Sequence, residues 1–191
     1  FLWILITGFL ANLGIFKLLN VLPPPFAIVV IPNIILLLVV TFSKETTQRL
    51  NSVSLSALTL IQSFRILMEL ILFDLAESGI ISHLLTWEGR NIDIIIGVTA
   101  PIITVIAIKK WTYYKHVFLF WNYLGIALLI NVFTHGLLSA PLPFQVFFTE
   151  PANTFVFSMP YIWLPAFVLP NAILFHILSI RKLRNSHQKN Q

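Results

Sequence analysis

The chain has 191 residues, of which 58% are hydrophobic and only 10% charged, with a formal net charge of +5. A soluble domain carries roughly 25% charged residues, so water is excluded as the solvent for most of this surface. One transmembrane domain over 1–183, with a basic cytoplasmic tail over 184–191, is the expected organisation. There is no cysteine, which excludes disulfides, thiolate chemistry and cysteine-ligated metal.

A hydrocarbon core of about 30 Å needs about 20 apolar residues of helix. Six spans are predicted, at about 1–19, 25–43, 54–77, 91–109, 116–138 and 155–180. The first, "FLWILITGFLANLGIFKLLN", is long enough to cross and shows no cleavage site. The breaks carry turn or charge signals: "NVLPPP", "SKETTQRLNS", "SGIISHLLTWEGR", "KKWTYYK" and the Pro-rich "SAPLPFQVFFTEPANT". The fold class expected is therefore an all-α polytopic bundle.

Nine of the twelve basic residues fall on one side of that topology: Lys44, Arg49, Lys109, Lys110, Lys115, Arg181, Lys182, Arg184 and Lys189. Positive charge collects in cytoplasmic loops, so both termini are expected inside, and nucleic acid is not an expected partner. Aromatic belts fit this orientation. Trp111, Tyr113, Tyr114 and Trp121 gather at the inner end of the fifth span; Phe144, Phe147, Phe148, Tyr161 and Trp163 gather outside. The stretch "PFQVFF" is too short to span and too apolar for a free loop, so it is expected to cover something at the outer face.

"VIPNIILLLVVTFSK" and "VLPNAILFHILSIRK" share a Pro-Asn pair at equal spacing from a terminal Lys. They fall in spans two and six, which suits no three-plus-three repeat. The physical expectation is that Pro removes a backbone hydrogen bond and Asn satisfies the freed group.

The third span contains "QSFRILME". At 1.5 Å per residue, Arg65 lies roughly 15 Å in from Ser54 and Glu69 roughly 22 Å. Thr59, Gln62, Arg65 and Glu69 are spaced three, three and four apart and share one helix face. A central charge facing lipid costs about 2.5–3.5 kcal/mol, so the stripe is expected to face inward, with Arg65 and Glu69 paired. Glu69, Asp74, Glu77, Glu88 and Asp93 are five of the seven acidic residues, which predicts an acidic outer mouth. In "WEGRNID", Asn91 is a candidate N-cap and Asp93 complements the helix dipole. Glu88 and Arg90 are not needed for capping; they are read as a second ion pair or as groups offered to a polar ligand.

Asn12, Asn33, Asn122, Asn131, Asn171 and His176 are expected to hydrogen-bond between helices. His135 and His176 lie toward opposite faces and His116 at the interface, so no haem, metal or other cofactor is expected. No zinc-protease motif, nucleophile elbow or phosphate loop is present, and the last span lacks the Lys of a retinal Schiff base.

The order "QSFRILME", "TWEGRNIDIIIGVTAP", "WNYLGIALLINV", "SAPLPFQ" and "WLPAFVLPNAILFHILSIRKL", from about Gln62 to Leu183, resembles a group of small uncharacterised bacterial membrane proteins with six spans. The resemblance implies a bacterial cytoplasmic (inner) membrane location and no particular activity.

Two readings of Arg65 and Glu69 remain open from the residues: a structural ion pair, or part of a path for substrate, ion or proton. On the second, Gln62, Arg65, Glu69, Glu88, Arg90, Asn91 and Asp93 would bind a small polar or cationic ligand, or protons, with Glu69 titrating and Arg65 its counter-ion. On the first, the chain would be a non-catalytic subunit or assembly factor with a membrane-protein partner, or a homo-oligomer, in the lipid bilayer. An enzyme acting on a lipid or isoprenoid is a weaker third reading, since no activated nucleophile or metal set accompanies the acids.

Overall fold

The computed structural model describes residues 2–19, 21–109 and 113–188, with side chains to Asn185. Lys110, Trp111 and Lys189, counted in the charge and aromatic patterns above, lie outside the described residues. Those described residues form helices and no strand. The α-helices are α1 (Leu2–Asn12), α2 (Ala27–Phe42), α3 (Lys44–Leu50), α4 (Leu55–Leu60), α5 (Phe64–Glu77), α6 (Ile94–Lys109), α7 (Tyr114–Ser139) and α8 (Leu169–Gln188).

Among the described residues, three helical stretches are long and apolar enough to cross a membrane: Leu55–Glu77, Tyr114–Ser139 and Leu164–Asn185. A fourth counts if α2 and α3, bent by 62° at Ser43, act as one broken span. The expected six are therefore not all present as full-length helices. α1 has 11 residues and stops where Gly14 takes a left-handed φ of 71°. α6 has 16 residues because "GRNI" stays non-helical and the helix starts only at Ile94. The last span begins at Leu164 rather than near 155, since residues 155–162 form a 3₁₀ turn and a loop. At its other end α8 runs on to Gln188, so most of the expected tail is helix.

Local chemistry sets the ends of the central stretch. Ser54 caps α4 by accepting from the Ala57 N–H at 2.9 Å. α5 stops in a Schellman turn: Gly79, at φ 68°, donates to the Ala76 carbonyl, and Ile80 reaches back to Leu75. Between α4 and α5 one 3₁₀ turn, Ile61–Ser63, precedes Arg65.

The helices pack as membrane helices do, through small residues on one face and bulky ones outward. On α6, Gly97, Ala100, Thr104 and Ala107 are buried at spacings of three, four and three against α4, the 3₁₀ turn and α5. A Cβ at Gly97 would sit 2.9 Å from the Ile66 backbone nitrogen, so glycine sets that approach. Ile95, Val98, Ile102, Val105 and Ile108 point away and stay exposed, as a lipid-facing side must. Trp121, expected in the inner aromatic belt, is instead buried, and its indole N–H donates to Thr99 Oγ1 at 2.8 Å.

The proline–asparagine motifs work across the pair rather than each within itself: neither asparagine bonds the carbonyl its own proline frees, and Asn33 donates to Val29 and to the carbonyl freed by Pro170. Pro170 cannot donate back to the Ala166 carbonyl, which accepts instead from Asn33 Nδ2 at 3.0 Å and Trp3 Nε1 at 3.1 Å. Asn171 donates to the Phe167 carbonyl at 2.7 Å. At the basic end α8 is tied down: Arg181 donates to Thr47, Lys182 to the Leu50 carbonyl and Arg184 to the Tyr123 hydroxyl.

Candidate functional site

The stripe of the third span faces inward. Thr59, Gln62, Arg65 and Glu69 are all buried, none more than 2% exposed. Arg65 and Glu69, however, are not hydrogen-bonded to one another. Arg65 holds Asp93 in a two-pronged ion pair, with Nε donating to Oδ2 at 2.6 Å and Nη2 to Oδ1. Planar fork geometry of this kind is the strongest that a guanidinium offers a carboxylate. Asp93 occupies the position before α6, and its carboxylate is turned to Arg65 across the bundle. Asn91, the expected N-cap, lies outside the helix and shapes the approach: its Oδ1 accepts from the Asp93 N–H at 3.2 Å.

A hydrogen-bonded chain continues from Arg65 into α8 and α7. Arg65 Nη1 meets His176 Nε2 at 2.9 Å, and His176 Nδ1 meets Asn122 Oδ1 at 2.9 Å. Asn122 Nδ2 donates to the Phe118 carbonyl at 2.8 Å, which makes Oδ1 the acceptor end. His176 therefore carries its proton on Nδ1 and accepts the guanidinium N–H at Nε2. Every residue in this chain is buried. Gly125 makes it fit, since a Cβ there would overlap the His176 ring.

Glu69 sits apart. Its Oε1 accepts from Asn91 Nδ2 at 2.6 Å, while Oε2 is buried with no hydrogen-bond partner. Asn91 also donates to the Leu85 carbonyl at 3.1 Å, which pins the loop before α6. With one guanidinium, two carboxylates and a neutral imidazole, the cluster holds one more potential negative charge than positive.

Arg65, Glu69 and Asp93 form one wall of a cavity of about 140 Å³. The remaining lining is almost wholly apolar, from Phe64, Met68 and Leu72 on α5, Leu129 and Phe133 on α7, and Phe155. The exception is Asn153, in the loop between α7 and α8. Its Nδ2 donates to the Gly136 carbonyl at 2.5 Å and its buried Oδ1 has no partner. The stretch that lines the cavity between α7 and α8 is thus Asn153 with Phe155, Val156 and Phe157, not "PFQVFF". In that stretch Phe147 stacks on His135 with centroids 5.1 Å apart.

The remaining predicted residues go elsewhere. Gln62 donates to the Ala172 carbonyl at 3.1 Å and leaves Oε1 unpartnered, away from the cavity lining. Glu88 and Arg90 do not pair. Glu88 meets His83 Nδ1 at 3.1 Å, and Arg90 lies over the Phe147 ring at 5.1 Å beside His135. Glu77, His83 and Glu88 offer ligand atoms within 4.8 Å of one another, and all three are exposed. His83 faces Glu88 with Nδ1 and Glu77 with Nε2, so the ring bridges the two carboxylates as a solvated cluster. Sequence reasoning missed Asn122, His176 and Asn153 as members of the site. His176 and Asn122 carried a signal, as polar groups in apolar helices; Asn153, in a loop, carried none.

These features define a helical membrane protein whose polar centre is a buried ion cluster on the wall of an apolar cavity. Residues 22–184 match the family described as a domain of unknown function, DUF8737, and the chain belongs to that family. The match takes in every residue of the cluster and agrees with the expected kinship to an uncharacterised group. No curated protein and no solved structure matches the chain.

Proposed function

We propose that the protein binds a small ligand, ion or proton inside the membrane and carries or senses it, with Glu69 as the anchoring group. The observation behind this reading is Glu69: its Oε2 is buried and unpartnered, and the residue lines the cavity. A buried acceptor without a donor costs about 1–3 kcal/mol, more if charged. A purely structural carboxylate would have both oxygens satisfied, as Asp93 has. Arg65, His176 and Asn122 then serve as scaffold, holding Asp93 and the helices around the cavity. In the same reading the basic end faces the cytoplasm of a bacterial cell and the cavity belongs to the outer half of the bundle.

Native mass spectrometry of the protein extracted gently from its own membrane tests this. A bound molecule retained by the unaltered chain and lost in Glu69→Gln is the expected result. A ligand-free protein, with Glu69→Gln retaining every cellular phenotype, would overturn it. A stoichiometric protein partner in place of a small molecule would make the chain a subunit instead.

A further inference from the structure

Resting on the binding reading above, we infer that the ligand is a compact amphiphile, with a primary ammonium head held by Glu69 and Asn153 and an apolar body about the size of a benzene ring. Two side-chain atoms of the cavity-lining residues have no hydrogen bond at all, and both are of one kind. Glu69 Oε1 is occupied by Asn91, which leaves Oε2; Asn153 Nδ2 is occupied by the Gly136 carbonyl, which leaves Oδ1. Both free atoms are acceptors, both belong to residues at most 2% exposed, and both residues line the one cavity. A ligand that satisfies them must donate. A primary ammonium supplies three donors and a charge opposite to that of Glu69. An anion has no comparable welcome, because two carboxylates, Glu69 and Asp93, stand against the one guanidinium, which Asp93 already holds in a two-pronged pair.

The body of the ligand follows from the rest of the lining. Phe64, Met68, Leu72, Leu129, Phe133 and Phe155 offer contact without polar partners. The cavity volume, about 140 Å³, is close to the roughly 150 Å³ of an engineered apolar cavity that stays dry and takes up benzene. A hydrated inorganic cation would lose its water shell against such walls without enough oxygens to replace it.

Benzylamine is the probe, with toluene, benzoate and benzyltrimethylammonium as comparisons, each titrated into the full-length chain in lipid nanodiscs with melting temperature as readout. Benzylamine is expected to raise the melting temperature in a saturable way. Its apparent affinity is expected to fall at least tenfold in Glu69→Gln and severalfold in Asn153→Ala. Benzyltrimethylammonium, which has the charge but no N–H, is expected to bind at least tenfold more weakly; that comparison reads the two acceptors in the unaltered protein even if Asn153→Ala does not fold. Toluene binding as well as benzylamine, with no effect of Glu69→Gln, would overturn the inference, as would preferential binding of benzoate. A non-amine molecule that co-purifies through Glu69 would also overturn it while supporting the binding reading. A ligand-free, Glu69-indifferent protein would end both.

Discussion

Arg65 and Glu69 stand one helical turn apart on α5, yet the guanidinium is taken by Asp93, 28 positions along the chain, and the carboxylate by Asn91. An i, i+4 spacing permits an ion pair but does not compel one. In a low-dielectric interior, the partner with two oxygens in the plane of the guanidinium fork wins over the neighbour on the same helix face. The consequence is a division of labour: Asp93 neutralises Arg65, and Glu69 is left with an oxygen to spare. Removing either acid therefore has a different expected outcome.

Asp93→Ala leaves a buried guanidinium hydrogen-bonded only to a neutral imidazole, with Glu69 one turn away and bound to Asn91 instead. Breaking a buried pair from one side costs about 3–5 kcal/mol, and loss of that size is expected in reversible unfolding from mixed micelles. The double variant Arg65→Met with Asp93→Leu removes both charges and is expected to recover most of the loss. A loss under about 0.5 kcal/mol for Asp93→Ala would mean that the two-pronged pair does not hold the bundle.

His176 links Arg65 to Asn122 through an accepting Nε2 and a donating Nδ1. Glutamine can also accept with one end and donate with the other, while leucine can do neither. His176→Leu is expected to cost about 1–3 kcal/mol for each partner left unsatisfied, and His176→Gln clearly less. Thermal unfolding of the two variants side by side checks this; equal destabilisation would show that ring shape, not hydrogen bonding, is what the site needs.

Gly125 is where α7 meets that ring. Alanine there must push the imidazole aside, at an expected cost of about 1–3 kcal/mol for overpacking. Because the clash is with one side chain, Gly125→Ala and His176→Ala are expected to be non-additive, with the double variant more stable than the sum predicts. A double-mutant cycle measures it, and strict additivity would rule out the contact.

Much of this was legible in the sequence. The inward stripe Thr59–Gln62–Arg65–Glu69 follows from helix period and the cost of charge in lipid. So do the ends of the third and fifth spans, which fall within a few residues of the observed helices. The choice of partners was not legible. Local spacing favoured Arg65 with Glu69 and Glu88 with Arg90, whereas Asp93 and His83 win through contacts between segments that no periodicity encodes. Span count suffered similarly: hydropathy does not register that Gly14 ends α1 early or that Asn91 holds its loop out of α6.

Glu69→Gln separates structure from function most cleanly. The glutamine Oε1 can keep the 2.6 Å bond from Asn91, so the loop before α6 stays anchored. Its amide group replaces Oε2, exchanging one unsatisfied buried atom for another while removing a charge that is expensive to bury unpaired. The variant is therefore expected to unfold at the same point as the unaltered chain or above it, and to lose ligand affinity by tenfold or more. Parallel measurement of melting temperature and ligand titration reads both. Destabilisation by more than about 1 kcal/mol would show that the second oxygen has a structural partner, and would return Glu69 to the scaffold with Asp93.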